Sequence, residues 1–192
     1  MAWFVHYLPD FHKPAFNWTV IVLLGFEVAY IGLQAARGQA SHFNLSTPFY
    51  SAMFGLMAFA ASAVTFYTLF VAVKFFQWNG EGLPDYYVWS IRFALILFVM
   101  FSFEGFAMGS RMAHSVGGPD GTPGLPVLGW SKTIGDLRIA HFVGMHALQV
   151  LPLLSFYVLK NARLTLFVAL CYAGLAGWVL IKALQGKPLI GA

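Results

Sequence analysis

Charge is scarce in this chain. Asp, Glu, Lys and Arg make up 9% of its 192 residues, against roughly 25% in a soluble domain, which excludes a water-solvated surface over most of its length. The 11 Lys and Arg residues form no cluster. The net charge of +4 therefore offers no track for a phosphate backbone, and nucleic acid is not an expected partner. Cysteine is limited to Cys171, which excludes an intramolecular disulfide and a zinc finger; set in an apolar run, it is expected to pack. No P-loop, dinucleotide fingerprint, G-x-S-x-G or H-E-x-x-H occurs, so the common short catalytic signatures are missing and no substrate is indicated. Met1 to Phe16 lacks the basic start and unbroken apolar run of a signal peptide, being interrupted by Pro9, Asp10 and Pro14, and is expected to be retained.

What the chain has is apolar length. It is 59% hydrophobic with a mean hydropathy of +0.73, and several runs approach or exceed the roughly 20 residues that cross a hydrocarbon core. The expected fold is all-α: a polytopic integral membrane bundle of about five transmembrane helices, at about 17–36, 49–76, 86–112, 137–159 and 162–184, in one membrane domain, 1–192. Residues 1–16 read as an interfacial segment, because Trp3, Phe4, Tyr7, Phe11 and Trp18 suit the headgroup zone. His6 and His12 there read as solvated. The short turn Lys160 to Arg163 makes the last two spans antiparallel neighbours, and NGEGLPD at 79–85 has turn chemistry. Gly105/Gly109, Gly25/Ala29, Gly32/Ala36 and Ala173/Gly177 have the small-residue spacing that lets helices approach in lipid.

The lipid bilayer is the expected partner, with a homo-oligomer or a larger membrane complex also open. Lys13, Lys74, Lys160 and Arg163 would face one side, and Arg37, Lys132, Lys182 and Lys187 the other. The basic KNAR turn places the N-terminus in the cytoplasm and the 113–136 connection outside it.

Against this background the stretch from Glu104 to Gln149 is unusual. Ionisable groups in apolar helices mark functional sites more often than not. At 3.6 residues per turn, Glu104 and Arg111 fall within about 20° of each other, with His114 on their flank. Arg138, His141, His146 and Gln149 cover an arc of about 140° on the next span. Glu27 and Gln34 share a face of the first. The expectation is a polar interior, with Glu104 coupled to Arg111, and with Glu27, Gln34, Glu104 and Gln149 buried.

Three functions compete for it. In the first, His114, His141 and His146 bind haem b, with Arg111 and Arg138 pairing its propionates, or a transition metal ion is held by His114, His141, His146 and His42. Arg138-x-x-His141 loosely resembles patterns in membrane b-type cytochromes, which would imply a redox role. In the second, Glu27, Glu104 and the histidines carry protons, or an ion or small molecule is transported, without any cofactor; Pro152 would open the fourth helix near Leu148 and Gln149. The third is a structural or assembly subunit. The connection 113–136 is long for a link between neighbouring helices. Leu125, Val127, Leu128, Trp130 and Ile134 are expected to fold over the bundle mouth or to anchor it at the interface, and Ser131 or Thr133 with Asp136 to cap the fourth helix.

Overall fold

A computed structural model describes residues 4–9 and 11–190. Trp3 and Asp10 of the expected interfacial segment lie outside the described residues. The fold is all-α: α1 Lys13–Ala36, α2 Pro48–Gln77, α3 Asp85–Arg111, α4 Leu137–Met145, α5 Ala147–Leu154 and α6 Ala162–Leu184. Four of these are long and apolar enough to cross a membrane, and α4 with α5 makes a fifth if the bent pair is one span. The chain is thus an integral membrane protein by the length and composition of its helices. Internal contacts divide it into two compact units, Met1–Trp78 and Asn79–Ala192.

Helix limits follow local chemistry. Thr47 accepts from the Tyr50 amide at 3.2 Å with Pro48 just inside α2, and Asn161 accepts from Leu164 at 3.0 Å to start α6. These are N-cap bonds that satisfy donors with no intrahelical partner. His12 does the same for α1, its Nδ1 lying 3.3 Å from the Ala15 amide. That gives this exposed histidine a structural duty.

In the first unit α1 packs on α2, with Phe16 fully buried edge-on to Tyr67 at 4.7 Å between ring centres. Gln34 is buried as expected, its amide nitrogen donating to the Ala40 carbonyl at 3.3 Å. Glu27 is only half-buried.

In the second unit α3 packs against α4, α5 and α6, and buries Ile91, Ala94 and Leu95. Two glycines set these distances, and neither belongs to the GxxxG pairs. A Cβ on Gly144 would run into the Phe101 ring, and one on Gly135 into the Ala183 carbonyl. By contrast Gly25, Gly32, Gly109 and Gly177 have open space where a side chain would go. Of the glycines in those notches only Gly105 is tight, against His141. Polar groups deep in the unit pair across helices: Ser155 donates to the Tyr86 carbonyl at 2.8 Å and meets Thr165 at 2.9 Å, and Tyr172 donates to the Val143 carbonyl at 2.6 Å. Cys171 is exposed rather than packed.

The fourth span departs from the continuous helix expected over 137–159. It breaks at His146 with a 40° bend and ends in a π-helical turn, Ser155–Leu159. Pro152 lies between the two. It has no N–H for the Leu148 carbonyl and its ring crowds that carbonyl, which loosens the ladder on both sides.

Candidate functional site

The site is built where α3 gives way to α4. Met112 adopts a left-handed conformation, φ 53°, and ends α3. The chain then forms a two-residue antiparallel pair, β1 (Ser115–Val116) with β2 (Gly135–Asp136), which leads directly into α4. This small pairing was not legible in the sequence. It ties both ends of the connection together, with the Leu137 amide donating to the His114 carbonyl at 2.9 Å.

His114 therefore stands outside α3, not on its flank. Its Nδ1 is bonded to the Asp120 carboxylate, which also accepts from the amides of His114 at 3.1 Å and Ser115 at 2.8 Å. Burial lowers the His114 pKa, as does the nearby Arg138 guanidinium, with Asp120 and Asp136 opposing them. At Asp120 burial alone would raise the carboxyl, but the hydrogen bonds from Ser115 and His114 hold it below the ordinary value.

Arg138 is taken up by a second clasp. Asp136, whose side chain is 0% exposed, caps α4 by accepting from the Arg138 amide at 3.1 Å. It also accepts from Arg138 Nε at 2.9 Å and Nη2 at 2.6 Å, and from the Ser131 amide at 3.0 Å. Burial would raise the Asp136 carboxyl, but these bonds and the guanidinium charge lower it. Capping by Asp136 is as expected. Ser131 helps differently, its hydroxyl accepting from the amides of Thr133 and Ile134 at 3.3 and 3.2 Å.

Glu104 is the enclosed acid of the α3 side of the site. Its side chain is 6% exposed and its Oε2 lies 3.4 Å from His141 Nδ1 on the facing helix. Both carboxylate oxygens and that ring nitrogen are buried without a hydrogen-bond partner among the described residues. The expected Glu104 to Arg111 coupling is not formed: Arg111 is exposed in the last turn of α3, where its long side chain reaches out of the packed seam, while Glu104 sits two turns deeper. Gly105 accommodates His141, since a Cβ there would lie 3.2 Å from the ring.

His146 and Gln149 are exposed rather than buried, because the break in the helix turns them out of the α3 contact. His146 Nδ1 lies 2.8 Å from the Phe142 carbonyl, so it is the donor there. His42 belongs to the first unit, where its Nδ1 meets the Ser41 hydroxyl at 3.0 Å. The three histidines of the second unit thus share one feature: each has Nδ1 facing an oxygen, of Asp120, Glu104 or Phe142. Among the described residues no three His, Cys, Asp or Glu side chains converge as they would around a bare metal ion. Comparison of the chain with protein families, with curated proteins and with solved structures finds no match.

Proposed function

We propose that this integral membrane protein binds haem at the α3–α4 seam, where His141 would hold it through Nε2, and serves as a redox component of its membrane. The Glu104–His141 pair carries the reading. Buried polar atoms without partners are rare and call for an explanation, and both Glu104 oxygens and His141 Nδ1 are of this kind. Coordination at Nε2 would supply one. A metal held there would make Nδ1–H a stronger donor toward Glu104, 3.4 Å away, the part that carboxylates commonly play behind metal-bound histidines.

Haem suits the seam better than a bare ion. A porphyrin brings four nitrogens of its own, so the protein supplies only one or two ligands, in keeping with the absence of a three-residue cluster among the described residues. Arg111, exposed in the last turn of α3, would be the arginine able to pair with a propionate. The same orphaned oxygens favour one other reading, a cofactor-free proton site of a transporter, because a single shared proton would satisfy Glu104 and His141.

Absorption spectra of the purified protein and its variants separate the two. His141→Ala should abolish the Soret band or shift it, and His6→Ala should leave it unchanged. A spectrum unaffected by His141→Ala sinks the assignment of that ligand.

A further inference from the structure

The connection between α3 and α4 carries a finger with no role in the site above. Its base is an antiparallel bridge between Gly124 and Ser131, drawn tight by Leu125 N–H to the Trp130 carbonyl at 2.8 Å. Only glycine fits at 124, since a Cβ would meet the backbone of Gly129 and Trp130 at 2.6 Å. At the tip Leu128 N–H donates to the Pro126 carbonyl at 2.8 Å, a γ-turn that holds Val127 at φ 69°. A β-branched residue in that region is strained, and strain of this sort persists where the surroundings impose it and often where a side chain has a task. Here it presents Val127 at 104% exposure with Leu128 beside it at 49%.

We propose that this fingertip inserts into the interfacial zone of the bilayer the protein spans, with Val127 and Leu128 among the upper acyl chains. The finger is fastened along α4 rather than extended away from it. Arg138 Nη2 donates to the Gly129 carbonyl at 2.8 Å, and the Trp130 ring packs edge-on to Phe142 at 5.4 Å. Phe142 is four residues, about 6 Å, further down the span than Arg138, so the Trp130 ring at the base of the finger reaches the second turn of a membrane helix. Phe142 is itself 44% exposed. That depth is where tryptophan and apolar side chains beside basic residues partition, and Lys132, exposed just after Trp130, supplies an ammonium for anionic headgroups. Two apolar side chains held in water by a strained turn would have no compensation, whereas in the interface their burial is favourable.

The test places an environment-sensitive fluorophore on Val127→Cys in a Cys171→Ala background, with Leu128→Cys as the second position, in vesicles of phosphatidylcholine and phosphatidylglycerol. Both labels should emit to the blue of the free dye in water, lose intensity with lipids brominated near the top of the acyl chain, and resist aqueous iodide. Emission as in water with strong iodide quenching at both positions overturns the proposal. Blue-shifted emission insensitive to brominated lipid overturns it too, because the tip would then be covered by protein, as in a contact between two copies of the chain.

Discussion

Replacing Asp136 by Ala should unlatch the start of α4. The carboxylate accepts four hydrogen bonds, from the amides of Ser131 and Arg138 and from two guanidinium nitrogens, and alanine leaves all four donors to find other partners. Losing an N-cap costs about 0.5–2 kcal/mol, and removing one member of a buried ion pair about 3–5 kcal/mol. The Arg138 side chain is 35% exposed and can regain water, so the second figure applies only in part. A total of about 2–4 kcal/mol is the working estimate. The assay is SDS-titrated unfolding in mild detergent micelles, run as a double-mutant cycle with Arg138→Met. That single change strands the Asp136 carboxylate, whose side chain is 0% exposed, so it should also be costly, and the double variant should lose clearly less than the sum. Strict additivity, or a loss for Asp136→Ala no greater than a few tenths of a kcal/mol, would refute the clasp.

Gly144→Ala should destabilise by about 1–3 kcal/mol in the same assay, because its Cβ meets the Phe101 ring, while Gly109→Ala, with open space at the Cβ position, should be neutral or mildly stabilising. Stability should fall on acidification in two windows. His114, lowered from 6.5, stays neutral in the native state while the unfolded chain takes up a proton, so stability is lost as pH drops from 6.5 through the native value; Asp120 and Asp136, lowered from 3.8, contribute above 3.8 and lose that contribution as pH falls through their native values. His114→Gln should flatten the upper window and leave the lower one. Cysteines at Gln39, Thr122 and Gln185 should label from one side of the membrane and those at Glu81 and Asn161 from the other; mixed labelling within either set contradicts the five-span topology.

Much of the fold could be read from the sequence because lipid imposes simple rules. Span existence follows from apolar length, and the observed limits of α1, α2, α3 and α6 fall within a few residues of the expected ones, since Thr47, Pro48, Pro84 and Asn161 announce them. The break at His146 was harder. Proline marked a disturbance, but where a ladder parts depends on packing, here Gly144 against Phe101. The β1–β2 pair involves two residues in each strand, too few for any periodicity to reveal. Polar partners were misjudged for a related reason: helical spacing put Glu104 beside Arg111 on one helix, whereas the carboxylate faces His141 on the next. Asp136 was foreseen as a cap but not as the partner of Arg138, although two residues separate them, because that pairing depends on the turn into α4.

Whether the α3–α4 seam holds haem, as proposed, is tested most directly by a pyridine haemochrome assay with elemental analysis on protein gently solubilised from its own membranes. The account predicts haem in stoichiometric amount, with a Soret band that His141→Ala removes or shifts. Protein that is folded, functional in its host and free of both haem and metal would contradict it, and would leave Glu104 and His141 as a proton site.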